Sequence, residues 1–358
     1  MSEEALKLTT YFGERSRVRG RLLADELLDI HARHEVRNSI LLRGIQGFGA
    51  KHRRRTDRLL TLSEDLPLVS VAIDARGRIE ALLRDVSTIG HEGLSTLERA
   101  RLCGAEIEPG DLARASGEAV KLTIYLGRHE RIDGSPSFAV VCQTLHDSGM
   151  AGATVLLGVD GTRHGQRQRA RFFACNTSVP LMVMAVGDAQ RVGTALMRLE
   201  QILRAPLFTI ERVRVCKCDG ESLQTPHERH ATDEHGTELW QKLTIVISEA
   251  ARHENSSVHQ ELVQRLRRAN AAGATSLRGI WGFHGDHTPH GDRLLSLRRH
   301  VPVVTVAIDT PDRIAGLFGI VDELTRERGL VTSEMVPVVS TLHEAHDDLA
   351  RRLLPPPI

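Results

Sequence analysis

The feature that most constrains this chain is an internal repeat in three copies. Lys7-Leu8-Thr9, Lys121-Leu122-Thr123 and Lys242-Leu243-Thr244 open three similar stretches. In every copy a glycine follows the lysine by 37 residues (Gly44, Gly158, Gly279), and a second comes three residues later (Gly47, Gly161, Gly282). A proline trails the first glycine by 23, 22 and 23 residues (Pro67, Pro180, Pro302) and opens an apolar run. Landmarks that hold register across three copies do not arise by chance, and a period of roughly 100 residues is domain-sized, not a solenoid turn. They divide the 358 residues into domains at 1–103, 119–216 and 240–342, linkers at 104–118 and 217–239, and a tail at 343–358.

Each copy reads as βαββαβ. In the first, residues 6–12 alternate as a strand, and 19–35 place Leu22, Leu23, Leu27, Leu28 and Ile30 on one helical stripe. The second strand spans 39–46, 154–160 and 275–281, the third 68–73, 181–186 and 303–308, and the last 94–102, 208–215 and 331–339. The second helix begins near Asp74, Asp188 or Thr310, with Pro311 at the first helical position. For the first helix, Ser135 reads as an N-cap ahead of Pro136 in the second copy, and Ser257 with Gln260 as a capping box in the third. This order is that of ferredoxin-like domains: α+β, with both helices on one face of a four-stranded antiparallel sheet. Strands such as 303–308 are apolar on both faces, so the face opposite the helices calls for a cover. Closure of the three domains as an intramolecular pseudo-trimer, monomeric in chain number, supplies it.

Charge and composition exclude several functions. Lys plus Arg is 47 against 46 for Asp plus Glu, and aromatics are 3%, which argues against a nucleic-acid partner. No stretch is long and apolar enough to span a bilayer, and no signal peptide is legible. Five unevenly spread cysteines make no disulfide framework, so a cytoplasmic setting is expected. No Walker A, nucleophile elbow or HExxH motif is present, and the chain does not read as an enzyme.

Arg43-Gly44-Ile45-Gln46-Gly47-Phe48-Gly49, followed by a basic stretch, is similar to the start of the T-loop in PII signal-transduction proteins. Arg278-Gly279-Ile280-Trp281-Gly282-Phe283-His284-Gly285 repeats it. With the Lys-Leu-Thr opening and the Pro-led third strand, the whole unit resembles the PII-like family known as domain of unknown function 190, in three tandem copies. The resemblance covers most of the chain and is weakest in the second unit, where Asp160-Gly161-Thr162 stands in the turn. It implies a trimeric arrangement of ferredoxin-like units, an effector held in clefts between units, and a loop that signals to a protein partner. The effector it implies is a small anion, first among them an adenine nucleotide. The gene neighbourhood of the family implies a membrane transporter or fluoride-channel-type partner. The Gly-rich phosphate loop of PII proteins is not matched here.

The candidate ligand-binding residues are therefore Arg43, Gly44, Gly47, Phe48 and Gly49, with Arg278, Gly279, Gly282, Phe283 and Gly285. The glycines can expose backbone N–H groups as an anion nest, the phenylalanines can support a base, and the arginines can contact charge. Lys51, His52, Arg53, Arg54, Arg55 and Arg58 make the first loop basic, as Arg163, Arg167, Arg169 and Arg171 do the second. Two alternatives remain open. The third loop carries His284, His287 and His290, residue types that bind Zn²⁺ or Cu²⁺, which suggests a metal-binding protein resembling the CutA branch of the superfold. The other alternative is an interaction scaffold without a ligand.

Overall fold

A computed structural model describes residues 2–49, 55–56, 65–90, 93–103, 119–163, 165–167, 179–204, 206–226, 232, 238–285, 288–291 and 301–340. The first linker and the C-terminal tail lie outside the described residues. Repeat 1 runs β1 (Ser2–Gly13), α1 (Leu23–Arg33), β2 (Asn38–Arg43), β3 (Gln46–Phe48), β4 (Pro67–Ala75), α2 (Arg76–Thr88) and β5 (Leu94–Cys103). Repeat 2 runs β6 (Ala119–Gly127), α3 (Ser137–Asp147), β7 (Gly152–Arg163), β8 (Pro180–Gly187), α4 (Ala189–Ile202) and β9 (Leu207–Cys218). Repeat 3 runs β10 (Leu239–Ser248), α5 (Val258–Arg268), β11 (Gly273–Arg278), β12 (Trp281–His284), β13 (Pro302–Asp309), α6 (Pro311–Leu324) and β14 (Leu330–Ser340).

Contrary to the expectation from sequence, the repeats are not three ferredoxin-like domains assembled as a pseudo-trimer. Among the described residues, strand accounts for 51%, the helices are six and short, and the strands form a closed antiparallel β-barrel. Backbone hydrogen bonds run from repeat to repeat, so among the described residues a single 18-stranded sheet, short strands included, joins all three repeats. At the centre, β9 pairs through residues 208–210 with β5 and through 214–218 with β14, while β14 pairs with β5 near residues 95–96. At the periphery, β7 pairs with β2, β12 with β7, and β3 with β11. Hydrophobic periodicity reports which face of a strand is buried, not which repeat supplies its hydrogen-bonding neighbour. That is why sequence order alone suggested separable domains.

The capping expectations also shift. Pro136, not Ser135, occupies the N-cap of α3, and Ser257 caps α5 by position without a side-chain cap hydrogen bond. The Ser257 hydroxyl is instead taken by the Arg252 guanidinium. Pro311 does sit in the first turn of α6.

Four large apolar clusters result. Three lie between each sheet section and its helix pair, and the fourth fills the interior. The interior cluster draws on Ile40, Val71 and Ile73 of repeat 1, Tyr125, Leu156 and Met182 of repeat 2, and Leu277 and Val304 of repeat 3. Val303, Val304, Thr305 and Ala307 are all buried, which accounts for a strand apolar on both faces.

Candidate functional site

The glycine turns lie where one repeat crosses onto the next. After β2, the Gly44 amide donates to Pro67 O at 2.8 Å, and the Ile45 amide donates to Ser276 O of repeat 3 at 2.9 Å. Strand β3 then pairs Gln46, Gly47 and Phe48 with Ser276, Thr275 and Ala274. A Cβ on Gly47 would stand 2.6 Å from Ala274 O, and one on Gly44 would stand 2.7 Å from Pro67 Cγ. The equivalent Cβ on Gly161 would strike Ser39 O, and on Gly282 it would strike Ala153 O. The same added Cβ atoms would also stand 2.9 Å from Pro180 Cγ and 2.8 Å from Pro302 Cγ. The Gly, Gly and Pro landmarks thus mark one device: a backbone crossing too tight for any side chain. Gly49 has open space around it, and Gly285 takes a left-handed φ of +53° beside the Asp219 carboxylate.

The crossing delivers a plug. Phe48 is 3% exposed and belongs to the core of repeat 3, with Leu262, Ile314 and Val331. Phe283 is 1% exposed and belongs to the core of repeat 2, edge-on to His146 at 5.1 Å. In the second repeat Thr162 takes the equivalent place. Its amide donates to Ser39 Oγ at 3.0 Å, and its hydroxyl lies 3.1 Å from Val36 O. The traffic is cyclic: repeat 1 enters 3, repeat 3 enters 2, and repeat 2 enters 1. Both phenylalanine rings are buried in apolar cores, so neither offers a face to a base.

The three seams share a backbone plan and differ in chemistry. Gln46 Nε2 donates to His259 O at 2.6 Å between repeats 1 and 3. Trp281 meets Phe138 edge to face at 5.9 Å between repeats 3 and 2. Between repeats 2 and 1, the Arg167 guanidinium reaches Asp29 at 2.6 Å, Asp160 at 2.8 Å and Asp25 at 3.2 Å.

The candidate arginines stand at the mouths of the loops. Arg43 pairs with Glu14 at 2.9 Å and is half exposed, and Arg278 pairs with Glu249 at 2.6 Å. Repeat 2 has Leu157 and Arg128 at these two positions, and instead pairs Arg163 with Glu130. Lys51, His52, Arg53, Arg54, Arg58, Arg169 and Arg171 lie outside the described residues, as does His287. His284 is buried in β12, and His290 Nδ1 lies 2.9 Å from Thr288 O. Burial pushes the buried Cys216 thiol up to about 12, and burial with the neighbouring Asp219 carboxylate pushes the half-buried Cys218 thiol up to about 11.

A second constellation, which motif reading passed over, sits where β5, β9 and β14 converge. Lys7, Lys121 and Lys242, the lysines that open the repeats, are buried there with Glu98, Glu211 and Glu334. Lys7 Nζ lies 2.7 Å from Glu211 and 2.8 Å from Glu98. Lys242 Nζ lies 2.5 Å from Glu98 and 2.9 Å from Glu334. Lys121 bridges Glu211 and Glu334. Six alternating charges therefore form a closed, electroneutral ring. Burial works to lower the Lys7 pKa, but Glu211, Glu98 and Glu334 overcome it and hold the ammonium well above the ordinary lysine value. Burial likewise works to raise the Glu334 pKa, yet Lys121 and Lys242 draw it down to about 2. The same contest, won chiefly by Lys242 and Lys7, holds Glu98 well below the carboxylate range. One oxygen from each of the three glutamates lies within 4.8 Å of the others, the only such trio among the described residues. Three ammonium groups already neutralise it, and a metal ion would have to displace them. What the sequence does show is a glutamate 90–92 residues after each opening lysine, the one carboxylate in its strand.

A family model, DUF190, described as an uncharacterized ACR, matches residues 5–102, 119–215 and 240–338. The chain belongs to the DUF190 family. Each DUF190 copy brings one ring lysine, one ring glutamate and one crossing turn. Among solved structures, aspartate kinase from Synechocystis overlaps 93% of this chain and 44% of its own at 11% identity, with a TM-score of 0.26. The chain spans less than half the length of that kinase, and at that score the likeness carries neither fold nor function. The wider similarity to PII proteins rests on the turn sequence alone. No helix among the described residues is long and apolar enough to cross a membrane.

Proposed function

We propose that this DUF190 protein is a non-catalytic regulatory module that binds a small anionic effector at the seams between repeats and passes the signal to a protein partner through the basic loops. The observation that carries this reading is the route of the chain into those loops. The first loop leaves β3, which is hydrogen-bonded to repeat 3, and returns at Asp65, which accepts from the Arg15 amide of repeat 1 at 2.7 Å. Whatever binds that loop acts on a joint between two repeats, which is the two-state element a switch requires.

The anion contacts in this reading are Arg43 and Arg278, whose guanidinium forks suit phosphate or carboxylate. The glycines position them by permitting the crossing, and the phenylalanines anchor it. An adenine nucleotide remains the first effector to try, with its base held elsewhere than on Phe48 or Phe283.

The test is a thermal-shift and calorimetric panel of AMP, ADP, ATP, cyclic AMP and bicarbonate. A ligand at 100 times its Kd adds about 2.7 kcal/mol of stability. A shift with one of these, lost in the Arg43→Ala/Arg278→Ala double variant, supports the reading. No shift with any of them, or one that survives the double variant, rejects the seam as the effector site.

A further inference from the structure

The charge ring is larger than a local salt bridge and lies outside the seams. Each ring glutamate touches the lysine of its own repeat and that of one neighbour. Within repeats the pairs are Lys7 with Glu98, Lys121 with Glu211 and Lys242 with Glu334. Between repeats they are Lys7 with Glu211, Lys121 with Glu334 and Lys242 with Glu98. The cross pairs run in the same sense as the turns: the glutamate of repeat 1 goes to repeat 3, that of 3 to 2, and that of 2 to 1.

We propose that this ring makes the closure of the three repeats all-or-none, so that no repeat leaves the barrel alone. Had each lysine paired only with its own glutamate, a repeat could depart without breaking any ion pair. Here the departure of repeat 1 breaks Lys7–Glu211 and Lys242–Glu98 together. It also breaks two of the three seams, through Gln46–His259 and through Arg167 with Asp25 and Asp29. The third cross pair, Lys121–Glu334, survives but is opened to water, where an ion pair loses most of its strength. By the cyclic pattern the same count holds whichever repeat is removed. A two-repeat remnant is therefore a poor state, and the closed ring has no cheap partial opening.

Buried ion pairs contribute little net stability against apolar replacements, and their attested use is to specify one arrangement. Cooperativity of closure is a specification of that kind. It does not depend on any effector.

The test is native-state hydrogen exchange on the intact chain, read by mass spectrometry across a denaturant series. The amides to follow are those of β1, β6 and β10, the equivalent strands that carry the three lysines. All-or-none closure makes their slowest amides share one opening free energy and one denaturant dependence. If any one of the three strands exchanges through its own lower-energy opening, the proposal is overturned. A second arm uses Lys121→Met, which touches only repeats 2 and 3 by contact. Protection falls equally in β1, β6 and β10 if closure is concerted. A fall confined to β6 and β10 overturns it. Should this variant fail to fold, the unmodified protein decides the question by itself.

Discussion

Phe48→Ala separates packing from sequence most sharply. Phe48 lies in repeat 1 by sequence, and its ring is 3% exposed in the core of repeat 3. Truncation removes a fully buried aromatic ring and leaves a cavity between β11 and helices α5 and α6. Loss of a buried Phe costs about 3–5 kcal/mol, the transfer of the ring out of water plus the unfilled space. The upper half of that range is expected, because the turn is pinned by the Gly47 crossing and cannot collapse inward. Two measurements check it. Chemical denaturation should lose about 4 kcal/mol. Methyl NMR should show the largest shifts at Leu262, Ile314 and Val331 of repeat 3, with Leu23, Leu27 and Leu82 of repeat 1 nearly unmoved. A loss under about 1 kcal/mol, a value typical of surface substitutions, would refute the reasoning. So would shifts centred on α1 and α2.

Three other outcomes follow from the same geometry. Gly47→Ala should destabilise by more than about 2 kcal/mol because its Cβ meets backbone, while Gly49→Ala, with nothing within 4 Å, should be neutral in the same denaturant titration. Lys121→Met strips one cation from the ring and should cost about 3–5 kcal/mol, and adding Glu211→Leu, which restores neutrality, should recover a clear part of that loss. Stability should fall on acidification: His259 and His31 are held down to about 4 and about 3, chiefly by burial, so from pH 6.5 downward the unfolded chain takes up their protons first. Glu334, at about 2 when folded, adds its loss below pH 4.5, and a urea midpoint that stays flat from pH 7 to pH 4 would contradict both assignments.

Much of this was legible in sequence. Helix stripes such as Leu23, Leu27 and Ile30, the Pro-led strands and the two-sided apolarity of 303–308 each correspond to an observed element or burial pattern. The crossing was legible only as a landmark. Gly44, Gly47 and Pro67 hold their spacing because of a backbone contact with repeat 3, and nothing local to those residues names the partner strand. The ring was harder still. A lysine and a glutamate some ninety residues apart look like isolated surface charges until closure brings three such pairs to one point. Hydrophobic pattern encodes depth, whereas neither strand partnership between repeats nor charge convergence on an axis has a local signature.

The traffic of Phe48, Phe283 and Thr162 has a consequence for how such a chain can be divided. The unit that recurs in the sequence is not the unit that fills its own interior. A repeat excised at its sequence limits would carry a stopper made for another vessel and would lack the one cut for its own. Swapping whole repeats between relatives would meet the same obstacle, since the hydrogen-bonded, aromatic and ionic joints are each matched to one neighbour. A change to one joint therefore calls for a matching change at the facing helix start of the next repeat.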